Sequence, residues 1–103
     1  MTTQDDLNIE LRGGRVVVTG ELDMRSGPEM AASLLALAAE ANRLAVDLSE
    51  VSFIDARGLR ALLFVKVAQP DFRVIAVSPR VERVLEITET YSELVDDEIS
   101  ATG

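Results

Sequence analysis

The residues best placed to do chemistry lie in one short turn, Asp55-Ala56-Arg57-Gly58, between two apolar runs. A carboxylate just before a helix can accept backbone N–H groups from the first turn, here those of Arg57 or Gly58. It also faces the positive end of the helix dipole, an interaction worth about 0.3–1 kcal/mol. Arg57 and Arg60 are three apart and share one helix face. They read either as solvated cations or as groups that meet an acidic partner and speed encounter. Glu21 and Asp23 are a second pair of carboxylates, with no His, Cys or Lys near them in sequence. A local role in their loop is the expectation for both.

Composition removes most other chemistry. The chain has 103 residues with neither cysteine nor histidine. There is no disulfide framework and no thiolate, and soft-metal sites lose their usual ligands. The commonest general base is missing as well. No phosphate-cradling glycine loop, nucleophile elbow or metal-ligand cluster is present, so an enzyme is not expected. No cofactor is expected either. The net charge is −8, from 18 acidic and 10 basic residues, nine of the latter arginine. That balance argues against nucleic acid as a partner. No apolar run approaches the roughly 20 residues of a membrane span, so no membrane insertion is expected. The start, MTTQDDLNIE, lacks a secretory pattern, and a cytoplasmic protein is the reading.

The elements that hold the turn follow from periodicity. Leu7, Ile9 and Leu11 alternate with polar residues as a half-buried strand. Gly13-Gly14 is a hairpin turn, and Arg15 to Thr19 is the return strand, ended by Gly20. Ser26 reads as an N-cap with Glu29 completing a capping box, and Pro28 is tolerated in the first turn. Met30, Leu34, Leu37, Ala38 and Ala41 then recur at helical spacing, with Asn42 as C-terminal cap. Leu44–Leu48 and Val51–Ile54 form a strand whose apolar character suits burial on both faces. A helix from Gly58 to about Ala68 is apolar on most sides. Leu63, Phe64 and Val67 are its candidates for an exposed contact patch. Phe72–Val77 is a strand, and Ser78-Pro79 opens a helix with Val81, Val84, Leu85 and Thr88 inward. Leu94-Val95 is a candidate edge strand, and Asp96-Asp97-Glu98 a solvated acidic end. The order β-β-α-β-α-β-α predicts an α/β fold. It is a single domain over 1–103, with its core at about 7–95. The mixed sheet has four to five strands, with three to four helices mainly on one side.

Three segments carry a family resemblance: Val18-Thr19-Gly20-Glu21-Leu22-Asp23, then Val46-Asp47-Leu48-Ser49 through Phe53-Ile54-Asp55, then Gly58-Leu59 with the apolar helix after it. Together they resemble the anti-sigma factor antagonists of the STAS superfamily. The resemblance implies a bacterial partner-switching protein in transcription regulation. It would bind an anti-sigma factor of the serine-kinase type and so release a sigma factor. It implies that Gly20, Glu21 and Asp23 are motif residues of structural importance. Asp55, Ala56, Arg57, Gly58 and Arg60 would form the partner-binding corner. The family's phosphorylated serine corresponds to Ala56, which cannot take a phosphate. Two consequences are open: a constitutively competent antagonist, or control by another route, such as expression or a different hydroxyl, with Ser49, Ser52 and Thr88 as candidates. An alternative is the soluble STAS subunit of a lipid-export ATPase complex. A signalling-scaffold subunit is a weaker third reading, since those carry an N-terminal sensor domain. The expected state is a monomer or weak dimer.

Overall fold

In the computed structural model, residues 7–41 and 43–95 are described. Strands β1 (Leu7–Arg12) and β2 (Arg15–Leu22) form an antiparallel hairpin. Gly13 and Gly14 both take positive φ, +56° and +84°. That requirement explains the glycine pair, because a two-residue hairpin turn of this hand strains a side chain. Helix α1 (Ser26–Ala38) follows, then β3 (Ala45–Ile54), α2 (Ala56–Ala68), β4 (Arg73–Val77), α3 (Pro79–Ile87) and the single turn α4 (Tyr91–Leu94). The sheet order is β1-β2-β3-β4, with β3 parallel to both neighbours.

One core forms between the sheet and the helices. Val16, Val18, Val46, Leu48 and Val74 point into it from the strands, and Met30, Leu34, Leu62, Val65, Val81, Leu85 and Leu94 from the helices. The opposite face carries side chains rather than helices. Arg12 bridges Glu10 and Glu50 there, at 2.7 and 3.1 Å. Arg15 lies 3.4 Å from the carboxylate of Asp47, which the Ser49 hydroxyl and N–H also reach. Val17, between the core residues Val16 and Val18 in the strand, has no exposed surface. β3 is therefore central but helix-covered on one face only. Its apolar character comes from Val46, Leu48, Val51 and Ile54, while Ser49, Glu50 and Ser52 are exposed. The expectation of burial on both faces holds for Val46–Leu48, where Asp47 on the helix-free face is buried too, and fails from Ser49 on.

Several boundaries differ from the sequence reading. β2 does not stop at Gly20 but runs on to Leu22 through a register irregularity between Gly20 and Glu21. Gly20 absorbs the change with φ +116°. α2 begins two residues before Gly58, at Ala56. Ala41 lies beyond the end of α1 and is exposed. Asn42 falls outside the described residues, as do Asp96, Asp97 and Glu98. Thr88 is not an inward residue. α3 ends one residue earlier, Thr88 is exposed, and its hydroxyl donates to the Val84 carbonyl. Leu94 belongs to the turn α4, and only Val95 meets the sheet, in one parallel bridge to Val74. Ser78 caps α3 as expected. Its hydroxyl accepts the Val81 N–H and donates to the Val51 carbonyl, so the cap also ties α3 to β3.

Candidate functional site: two adjoining strand-to-helix corners

The Asp55 turn is built by its cap. Asp55 has an extended backbone, φ −120° and ψ −172°, and its Oδ1 accepts the N–H groups of Arg57 and Gly58 at 2.9 and 3.0 Å. Two of the four unpartnered N–H groups of α2 are thereby satisfied. The Asp55 N–H itself donates to the Leu22 carbonyl at 3.1 Å, which ties the corner to the end of β2. Ala56 is the first residue of α2 and is exposed, with Arg57 and Arg60 exposed beside it. Gly58 is buried, and its reason is steric. A Cβ at that position would lie 2.2 Å from the Leu22 carbonyl oxygen. Only glycine lets α2 start this close to β2.

The Gly-Glu-Leu-Asp segment forms the neighbouring corner. Its side-chain cap is Asp23, not Ser26. The Asp23 Oδ1 accepts the N–H groups of Arg25 and Ser26 at 2.9 and 3.0 Å. Ser26 is the first residue of α1 and is buried. Its hydroxyl donates to the Glu21 carbonyl and receives the Asp23 N–H. The capping box through Glu29 does not form, because β2 runs past Gly20 and brings the Glu21 carbonyl within reach of Ser26. The N–H groups of Ser26 and Arg25 hold the Asp23 carboxyl below the usual carboxylate range. Glu21 itself is exposed.

The two corners touch. Gly27 of α1 sits against the backbone of α2: a Cβ there would be 3.3 Å from the Ala61 Cβ and 3.4 Å from the Arg57 carbonyl oxygen. Two helix N-termini therefore lie side by side, each capped by an aspartate. The positive ends of two dipoles converge at one edge of the molecule. The sequence reading named Asp55, Ala56, Arg57, Gly58, Arg60, Gly20, Glu21 and Asp23, and all belong to this pair of corners. It missed Ser26 as the buried hydroxyl that ties the Gly-Glu-Leu-Asp corner together, and Gly27 as the contact point between the two corners. The signal for Gly27 was available: a glycine in a first helical turn, one helix away from another.

Beyond the contact the helices leave a groove of about 520 Å³. Met24, Pro28, Ala31, Ala32 and Leu35 line one side, and Arg57, Arg60, Ala61 and Phe64 the other. Met24 and Phe64 are each 58% exposed. Of the three candidates for an exposed patch on α2, Phe64 and Val67 are exposed and Leu63 is half-buried. Among the described residues, no group of His, Cys, Asp and Glu could hold a metal. No helix among them is long and apolar enough to cross a membrane.

Comparison with known proteins agrees with this architecture. No curated protein sequence matches the chain. A solved structure, the crystal structure of an anti-sigma factor antagonist from Mycobacterium paratuberculosis, is 25% identical with a TM-score of 0.68. The match covers 93% of this chain and 91% of that one. A family model described as "Mlab, STAS domain" matches residues 6–94. With a mixed four-stranded sheet, helices on its one face and that match over most of its length, the chain belongs to the STAS domain family.

Proposed function

We propose that this protein is an anti-sigma factor antagonist acting by binding rather than by catalysis. Its partner is an anti-sigma factor of the serine-kinase type, and its grip on that partner frees a sigma factor. The gripping surface is the corner of Asp55, Ala56, Arg57, Gly58 and Arg60. Gly20, Glu21 and Asp23 support it from the adjoining corner. The observation that carries the reading is the exposed position of Ala56 at the start of α2, held by the Asp55 cap.

Ala56 then decides the regulation. A phosphate at this position would add about −1.5 to −2 charge to the surface the partner meets. The helix N-terminus would tolerate that charge, but a partner surface shaped for a neutral side chain would not. Alanine keeps position 56 uncharged at all times, so the protein is constitutively competent. The other candidate hydroxyls differ in how firmly they are held. That of Ser49 donates to Asp47 at 2.6 Å and that of Thr88 to Val84 at 2.8 Å. Ser52 is exposed, and its contact with the Gly20 carbonyl is longer, 3.3 Å. Incubation with a cognate serine-kinase anti-sigma factor and ATP, read by mass spectrometry and calorimetry, tests both halves. Tight, ATP-independent binding without phosphate incorporation is expected. Stoichiometric phosphate on Ser52 with loss of binding would defeat constitutive action.

A second reading uses the same corner to grip the ATPase subunit of a lipid-export complex. Ala56 favours it as well, since that role calls for no kinase. A pull-down from cells in which both candidate partners are tagged separates the two.

A further inference from the structure

We infer that the groove between α1 and α2 receives an amphipathic helix with acidic flanks, contributed by the protein partner. The inference rests on the reading of this molecule as a protein-binding module and identifies which element of the partner it takes.

Three observations lead here. The first is shape. Gly27 and Gly58 bring the helices together at their N-terminal ends. Ala31, Ala32 and Ala61 then leave the space between them unfilled. The α2 side of the trough spans Arg57 to Phe64, about 10 Å along the helix axis or about two helical turns. The second is chemistry. The rest of the lining is apolar, with Met24 and Leu35 on the α1 side and Phe64 on the α2 side, and Met24 and Phe64 are large side chains left more than half exposed. A helix laid in a groove buries such residues through an apolar stripe at i, i+3, i+4 and i+7. The third is charge. Arg57 and Arg60 stand on one wall, and neither has an ion pair among the described residues. Arg12 and Arg15 are matched with carboxylates, whereas Arg25, Arg43, Arg80 and Arg83 have no such pair among the described residues either; what sets Arg57 and Arg60 apart is their place on the wall of an apolar trough. Two unmatched cations beside an apolar trough select carboxylates on the flank of the occupant and disfavour a basic one. They also disfavour a second copy of this chain, which would bring the same two arginines to a two-fold contact.

The test is selection from a displayed library of helical peptides of about three turns, with an apolar stripe fixed and flanking positions randomised. The intact protein is the bait. Enrichment of Asp and Glu at the flanks is expected, with the selected peptide bound about tenfold or more weakly by Phe64→Ser, as for a buried aromatic anchor. Arg57→Glu/Arg60→Glu should invert the selection towards Lys and Arg. Circular dichroism of each variant verifies its fold before selection. The inference is overturned by failure to enrich any sequence, by enrichment without a charge preference, or by unchanged selection on Phe64→Ser. It is also overturned if the protein sediments as a dimer that Phe64→Ser dissociates, or if dodecanoate occupies the groove while no peptide is selected. Arg57 and Arg60 belong to both the groove wall and the corner, so the corner is tested separately at Ala56: an anti-sigma factor that binds the wild type and Ala56→Asp equally would sink the antagonist reading, while the peptide selection decides the groove.

Discussion

Replacing Gly58 by alanine should destabilise the protein, although the same change in most helices stabilises. In an ordinary helix interior, Gly→Ala gains about 1 kcal/mol from reduced backbone freedom and better propensity. At Gly58 the new Cβ would sit 2.2 Å from the Leu22 carbonyl oxygen, 2.7 Å from its carbonyl carbon and 2.8 Å from its Cβ. Two of these atoms are backbone, so rotamer change cannot relieve the overlap. α2 must move off β2 by about 1 Å to restore normal contact. Such overpacking costs about 1–3 kcal/mol. The displacement also stretches the Asp55 N–H bond to Leu22, now 3.1 Å, and losing a buried partner costs about 1–3 kcal/mol more. Against the propensity gain, the net loss is about 1–5 kcal/mol. Gly27→Ala is the internal control. Its Cβ would meet Ala61 at 3.3 Å, a contact that a few tenths of an ångström relieves. Urea unfolding of the wild type and both variants reads the contrast. Gly58→Ala should unfold at clearly lower urea and Gly27→Ala close to wild type. A Gly58→Ala protein as stable as the wild type would refute the argument that close approach of α2 to β2 demands this glycine.

Two further perturbations probe the same frame. Asp55→Ala removes the acceptor of the Arg57 and Gly58 N–H groups and should cost about 0.5–2 kcal/mol in urea unfolding, with Asp55→Asn costing less because it keeps an oxygen acceptor. At Asp47, burial alone would raise the carboxyl, but hydrogen bonds from the Ser49 hydroxyl and N–H and the charges of Arg15 and Arg12 outweigh it and lower it. A lowered carboxyl contributes stability that is present above its unfolded value, near 3.9, and lost as pH falls through the lower folded value. Asp47→Asn should therefore reduce stability at neutral pH and flatten the acid limb of the stability–pH curve, measured by urea midpoints. Parallel curves for the two proteins would contradict the assignment.

Much of this molecule was legible from its residues, for identifiable reasons. Gly13-Gly14, Ser78-Pro79 and the Asp55 cap are local signals, and each acts as its chemistry demands within a few residues. The α1 entry was misread because two capping residues compete there. Ser26-x-x-Glu29 is the stronger local pattern, but the continuation of β2 to Leu22 hands the Ser26 hydroxyl to Glu21 and leaves Asp23 to cap. That outcome depends on strand pairing with β3, which no local window contains. Thr88 continues the helical stripe of Val81, Val84 and Leu85 on paper. The chain leaves the helix there, and Glu89 takes φ +61°. The corner residues were visible as a motif, but the contact of Gly58 with Leu22 was not, since 36 positions separate them. The groove was invisible for a different reason: periodicity marks where apolar residues point, and the trough exists because Ala31, Ala32 and Ala61 are too small to fill it.

The most direct measurement is the affinity of the purified serine-kinase anti-sigma factor for the wild-type protein and for Ala56→Asp, by calorimetry at one salt concentration. A gripping surface that needs an uncharged side chain at residue 56 predicts tight binding by the wild type with or without ATP, and a loss of at least about tenfold on placing a carboxylate there. Equal affinities for the two proteins would mean that the partner does not touch this corner.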